Sequence, residues 1–292
     1  MSIEQSIEQG EFEAALSLLA QATAGPRPDP GQLLTTFNLE TRLQRFDAAE
    51  ASMGRLLAAA PQVAPVMERY RLAARAEAAA TARLTNPALA GQRKALGAPP
   101  PYALAYVKAA VHHAQKDYAG AAAALAEARA HTPPITGTLT WANGRSARFT
   151  DLTDSDDLTG PTLPCYDGAT LLDVPYGQLR AVNFLECKTS LDVMWMPTEL
   201  ITAGGKALTV RVPSYYTGTG KAQMGMVRTG QMTTWEREIG YAQGLGQRDF
   251  KVTTADGGSL MVGMLQVVKI ELDVQAGAEP EKPKSFWKRI FG

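Results

Sequence analysis

Pro133 and Pro134 split the chain into two stretches that cannot share a secondary structure. Proline removes a backbone donor and clashes inside a helix, and everything before the pair is built from helix formers. Residues 1–132 are rich in Ala, Leu, Glu and Arg, which favour helices. Residues 135–274 are rich in Val, Thr, Tyr, Gly and turn dipeptides, the make-up of strands and tight turns. The expected fold is therefore α+β, a helical domain over 1–132 followed by a β-rich domain over 135–274. At 292 residues the chain is long enough for two modest cores.

The helical half repeats. Phe12 stands three residues before Ala15, Phe46 three before Ala49, and Tyr118 three before Ala121. Phe46 and Tyr118 each lie fifteen residues before a proline, Pro61 and Pro133. The first two aromatics are 34 residues apart and the next two 72, close to two further periods. An aromatic opening the second helix of a pair, a small residue one turn on and a closing proline form the tetratricopeptide pattern. The copy near residue 82 lacks its aromatic and is degenerate. Such stacks carry a concave face that receives a helix or an extended peptide.

The β half reads as hairpins. Asn143-Gly144 and Asp167-Gly168 are two-residue turn signals, and Gly204-Gly205 and Asp256-Gly257 mark two more. "VVKIELDV" reads as a last strand. Alternation in these runs predicts one buried face each, hence an antiparallel sheet or partly open barrel. "PYGQLRAV" and "KAQMGMVRTG" are expected to form short helices over it.

Charge and motifs narrow the function. Lys plus Arg and Asp plus Glu are 29 each, which argues against a nucleic-acid binder. The first residues have neither the basic nor the apolar region of a signal peptide, and no apolar run approaches the ~18 residues of a membrane span. The expected location is the cytoplasm, with Cys165 and Cys187 as reduced thiols. His112 and His113 are neighbours on one predicted helix and point to different sides, so they are expected to pack rather than hold a metal.

The acidic stretch "TDSDDLTGP" tests for an active centre. A calcium loop starting at Asp154 needs an oxygen ligand at its fifth position and glycine at its sixth; Leu158 and Thr159 stand there. "GLGQR" has two glycines of a dinucleotide fingerprint but no third, and a strand-like run follows it. No nucleophile elbow is present. The residues predict no catalytic centre, no metal and no cofactor, and a turn-rich loop in which Asp side chains accept from nearby backbone. The competing reading is a metal-assisted or carboxylate-dependent hydrolase centred on Asp154, Asp156 and Asp157. A generic tetratricopeptide adaptor is the third.

Four segments occur in a telling order. Asp154, Asp156, Gly160 and Pro161 come first, then Asp192, Trp195 and Pro197. Pro213, Tyr216 and Gly218 follow, and Gly244, Leu245, Gly246, Gln247 and Arg248 close the series. This succession resembles the ImpE/SciE/TagJ family of bacterial type VI secretion accessory proteins. Leu158 stands where that family usually has a basic residue. The resemblance implies a non-enzymatic protein that binds a helix of the small contractile-sheath subunit and connects it to the AAA+ ATPase that recycles contracted sheath. The motif residues, with Tyr215, then become candidate partner contacts, and Trp195, Tyr215, Tyr216 and Trp235 candidate aromatic anchors.

The last stretch, 275–292, is a Pro- and charge-rich linker ending in a basic-aromatic segment. Phe286, Trp287, Ile290 and Phe291 fall at helical spacing, flanked by Lys284, Lys288 and Arg289. They are expected to dock on a protein groove or touch an anionic membrane without stable insertion.

Overall fold

A computed structural model describes residues 2–237 and 239–273. Phe286, Trp287, Ile290 and Phe291 lie outside the described residues.

The helical half consists of α1 (Ile3–Glu8), α2 (Phe12–Ala22), α3 (Pro30–Arg42), α4 (Phe46–Ala59), α5 (Ala64–Arg83), α6 (Pro87–Ala90), α7 (Pro101–Ala114) and α8 (Tyr118–His131). Phe12, Phe46 and Tyr118 each open the second helix of a pair. Ala15, Ala49 and Ala121 are buried where the paired helix comes close.

The three turns within the pairs are the same turn. Gly10, Gln44 and Lys116 all have positive φ, two residues before the aromatic. The next N–H in each case reaches back to the last turn of the first helix: Glu11 to Ser6 O at 2.8 Å, Arg45 to Glu40 O at 2.8 Å, Asp117 to His112 O at 2.9 Å. This is the Schellman stop, which normally recruits glycine at the left-handed position. Lys116 is exposed and has a Cβ that disfavours that conformation. Lys116→Gly is therefore expected to raise stability by about 0.5–1 kcal/mol in urea unfolding, net of glycine's greater chain entropy. A loss would contradict the turn.

The degenerate copy has no second helix of normal length. α5 runs for 20 residues and α6 is a single turn capped by Asn86. α5 keeps its place beside α4 and also lies against β3 and β4 of the sheet.

The β half contains β1 (Gly137–Trp141), β2 (Ser146–Asp154), β3 (Thr162–Asp167), β4 (Thr170–Pro175), β5 (Leu179–Phe184), β6 (Trp195–Thr202), β7 (Ala207–Pro213), β8 (Thr234–Glu236), β9 (Gln243–Leu245), β10 (Asp249–Thr254), β11 (Ser259–Gly263) and β12 (Val267–Leu272). Short helices α9 (Ser190–Met194) and α10 (Gly225–Arg228) interrupt them. Ten strands form one antiparallel sheet in the order β11-β10-β2-β1-β12-β5-β6-β7-β3-β4, and β8 pairs with β9 separately. The sheet curls into a half-barrel around Leu152, Val174, Tyr176, Leu200, Phe250 and Ile270. All four expected hairpins form, with Gly144, Gly168, Gly205 and Gly257 at positive φ.

One expectation needs adjusting. "PYGQLRAV" is a single 3-10 turn, Tyr176–Gln178, that runs straight into β5, because Ala181 and Val182 pair with β6 on one side and β12 on the other. "VVKIELDV" forms the last strand, β12, as expected, and it inserts between β1 and β5.

The proline boundary divides secondary structure but not the core. Leu33, Phe37, Met53, Met67 and Tyr70 of the helices share one cluster with Tyr166, Leu171, Leu191, Met194 and Trp195. Tyr102, Ala109 and Leu125 share another with Leu158 and Tyr241. The segment around α10 is fastened to the helical turns by close backbone approach. A Cβ on Gly220 would lie 1.8 Å from Arg42 O, and one on Gly225 would lie 2.0 Å from Gln9 O, so only glycine fits either contact.

Candidate functional site

Three of the four motif segments, the first, third and fourth, meet beside the paired strands β2 and β10. Asp154 ends β2, and Arg248 immediately precedes β10, the strand that pairs with β2. Arg248 Nη1 donates to Asp154 Oδ2 at 2.5 Å, and its Nε donates to Pro213 O at 3.2 Å. The Tyr216 hydroxyl donates to Asp154 Oδ1 at 3.0 Å, and its ring lies 4.7 Å from the Arg248 guanidinium carbon. Asp156 N–H also donates to Asp154 Oδ1, at 2.8 Å. Asp156 in turn accepts from Leu158 N–H at 2.9 Å and, across the gap, from Gly244 N–H at 3.0 Å. Gly246, at φ +103°, receives the Tyr216 N–H on its carbonyl at 3.0 Å and donates its own N–H to Thr219 Oγ1 at 2.8 Å. Asp157 bonds Ala242 N–H at 2.7 Å and Arg129 of α8 at 2.5 Å.

Every one of these carboxylates spends its oxygens on N–H and O–H donors. This is a cross-brace between loops, with the acidic cluster as its hub. Among the described residues no group of three or more His, Cys, Asp or Glu is disposed to hold a metal. Leu158, the departure from the family pattern, is buried against α7 and α8, so an apolar contact seats the acidic loop on the helices. Gly160, at φ +55°, packs under the Tyr106 ring, and Pro161 is buried beside it.

A second brace joins the halves. Asp192 accepts from Tyr70 OH of α5 at 2.9 Å and from Arg211 of β7 at 3.0 Å. The Arg211 guanidinium also lies over the Tyr70 ring, 4.6 Å from its centroid. Trp195 is fully buried; its Nε1 donates to Glu77 Oε2 at 3.3 Å, where the Tyr166 hydroxyl also donates at 2.5 Å. Asn38 of α3 donates to Ser190 at 3.3 Å. α9 and Trp195 thus lie on α3 and α5, first helices of their pairs, where a tetratricopeptide stack would take an outside peptide. Pro197 sits in β6 opposite Arg211 of β7.

Sequence reasoning missed Tyr70, Glu77, Tyr166 and Arg211. Tyr70 and Glu77 are two turns apart on α5, a spacing that shares a face, but nothing local says that face meets Asp192 and Trp195. Tyr215 is half-buried, stacked under Arg42 at 4.9 Å and bridged to Gln247. Trp235 is half-buried in β8. His113 Nδ1 pairs with Tyr241 OH at 2.6 Å and His112 Nδ1 with Asp117 at 2.8 Å. Cys165 and Cys187 are free.

The electrostatics follow from burial. Burial pushes the Asp154 carboxyl up, and Arg248 pulls it back. Burial, the largest single influence, would lower Arg248, but the Asp154 charge and hydrogen bond, with Tyr216 and Asp156, together outweigh it and hold it above its ordinary range. Asp156 is pushed up from 3.8 to about 6, first by burial and then by the Asp154 charge. A carboxyl that binds its proton more tightly when folded adds stability below its unfolded value and loses it as pH rises through the folded one. The chain is therefore expected to gain about 1 kcal/mol between pH 7 and pH 5 from this group. Urea unfolding at the two pH values should show a gain that Asp156→Asn lacks; equal slopes in both proteins would refute the assignment.

Between α5, α7 and the acidic loop lies a cavity of about 100 Å³, lined by Arg83, Arg93 and His113 on one side and Asp156, Tyr216 and Arg248 on the other. It holds a side chain or a small molecule, not a helix about 10 Å across.

Residues 146–270, which contain all four motifs, match the ImpE protein family. Over this stretch the chain is similar to ImpE proteins. Among curated proteins none matches it. The crystal structure of a Vibrio parahaemolyticus protein is similar to it, with a TM-score of 0.78 and 18% sequence identity over 95% of this chain and 99% of that one. That likeness is one of fold, and it extends to the helical half that the ImpE match leaves out. The ImpE match supports an accessory role in type VI secretion. No helix among the described residues is long and apolar enough to cross a membrane.

Proposed function

We propose that this chain is a non-enzymatic cytoplasmic adaptor of the type VI apparatus. It binds a helix of the small contractile-sheath subunit and links that subunit to the AAA+ ATPase that recycles contracted sheath. The observation that carries the reading is the ImpE match over residues 146–270, whose motif side chains are spent on internal bonds. Asp154, Asp156, Asp192, Trp195, Tyr216 and Arg248 are buried. Their part in recognition is to hold the surface in shape.

The stacked face of α3 and α5 is filled by the chain's own α9, and the cavity beneath α5 is too narrow for a helix. The partner helix therefore packs on the outside of the helical half, where Val66, Leu104 and Tyr118 are exposed. Apolar anchors at helical spacing on the partner suit such a surface. The test is a titration of the full chain with a peptide of the small-sheath-subunit helix. Saturable binding weakened at least about tenfold by Leu104→Glu, a loss of about 1.4 kcal/mol, supports the reading. No binding by the wild-type chain overturns it.

A further inference from the structure

The two edges of the ten-stranded sheet are finished differently. The β4 edge is roofed: α5 packs beside it, the Asp173 N–H donates to Lys94 O at 2.8 Å, and the strand ends in Pro175. Among the described residues the β11 edge has no covering strand: β10 is its only strand neighbour, and Ser259, Leu260 and Met261 are exposed.

Sheets normally protect a free edge with charge, proline, a bulge or a cover. The segment Ser259–Gly263, "SLMVG", contains no charged residue and no proline, and its five pairs with β10 run without a register shift. Leu260 stands opposite Val252, which stands opposite Leu152. It therefore belongs to the apolar concave face, yet it is 43% exposed, with no described strand beyond it. Met261, on the other face, is 50% exposed.

We propose that β11 pairs with the β11 of a second copy of this chain. The strands run antiparallel about a two-fold axis at Met261 and join two half-barrels into one continuous sheet. An isologous interface requires a patch that complements itself, and this strand does so in that register. Leu260 falls opposite Val262 of the partner subunit, closing the gap on the concave face. Ser259 falls opposite Gly263 of the partner subunit, and Met261 opposite its own copy. No like charges meet, and the antiparallel mode is the one used throughout the sheet. A charged strand from another protein would set its charge against Leu260 or Met261. The chain's own last residues, with Lys284, Lys288 and Arg289, fit this uncharged edge less well. Five paired residues per strand make a small interface, so the dimer forms at micromolar concentrations and gives the adaptor two equivalent helical halves.

Sedimentation velocity on the full chain tests this. The wild type is expected to be a dimer at tens of micromolar. Met261 accepts from Ser155 Oγ at 3.6 Å and stands opposite Lys251, so Met261→Lys and Met261→Glu are expected to be monomers with unchanged circular dichroism and, in the Lys variant, a somewhat lower unfolding midpoint. An equimolar mixture of the two is expected to recover the dimer, because Lys then faces Glu. A monomeric wild type, a Met261→Lys dimer or a mixture that stays monomeric overturns the proposal. So does a chain cut before Lys284 that dimerises while the full chain does not, which would give the edge to the tail.

Discussion

Arg248→Leu is expected to cost about 3–5 kcal/mol of folding stability, the toll of removing one partner from a buried ion pair. Asp154 has no access to water and keeps only Asp156 N–H and Tyr216 OH once the guanidinium is gone. Its carboxyl must then take up a proton or draw the surrounding loops open. The loss should therefore shrink as pH falls from 7 toward 5, because protonation removes the orphaned charge. The double variant Arg248→Leu with Asp154→Asn should be less damaged than the sum of its parts, since neither change then leaves a charge unpaired. Urea unfolding of the four proteins checks this; a cost below about 1 kcal/mol for Arg248→Leu would mean the pair behaves as an exposed one. The second expectation from this site is structural. Pro213 O and the Tyr216 ring also rest on Arg248, so protease cleavage in the segment after Tyr216 should speed up in the variant.

Trp195→Ala is expected to cost a similar amount, about 3–5 kcal/mol, by leaving a cavity among large side chains. Its indole is fully buried and tilted against Phe37 of α3, with centroids 6.4 Å apart. It belongs to the cluster that joins the helices to the sheet, so the damage falls on the joint. Circular dichroism, dominated by the helices, and fluorescence of the Trp residues, all of which follow Pro134, should follow one transition in the wild type and separate in Trp195→Ala. Trp195→Phe keeps most of the packing and loses only the bond to Glu77, so about 1–2 kcal/mol is expected. If Trp195→Ala unfolds in a single transition at wild-type stability, the shared core is not what couples the halves.

Much of the fold is legible because it is decided within a few residues. A tight reversal needs a left-handed backbone, and glycine adopts it most easily, so Gly144, Gly168, Gly205 and Gly257 announced their hairpins. The paired helices are equally local, since Phe12, Phe46 and Tyr118 mark a helix start and the alanines a close approach. Gln44 and Lys116 escaped notice because they do the work of Gly10 without being glycine. The Schellman stop is imposed there by the helices on either side. "PYGQLRAV" was misleading for a related reason. A stretch this short has little preference of its own, and pairing with β6 and β12 settles it.

The candidate site divides along the same line. The acidic stretch is readable as a loop, because Asp side chains bond backbone two or three residues on, and Asp154 and Asp156 do so. Its other half is not readable. Arg248 is 94 residues from Asp154, Tyr216 is 62, and Tyr70 is 122 from Asp192. Residues this far apart meet only through the register of β2 with β10 and the seating of α5 on the sheet. The order of the motifs points to a family, but their spacing along the chain carries no sign of the two braces they build.

By itself the sequence determined the helical pairs, the hairpins, the α+β division at Pro133 and the absence of a recognisable catalytic motif, since each is written in neighbouring residues. Tertiary structure alone decided that β12 inserts between β1 and β5, that α9 fills the face of α3 and α5, and that the motif aspartates turn inward to Arg248 and Arg211. The physical reason is that a buried charge or an unpaired strand is satisfied by whatever the fold brings to it, and no local pattern records what that will be.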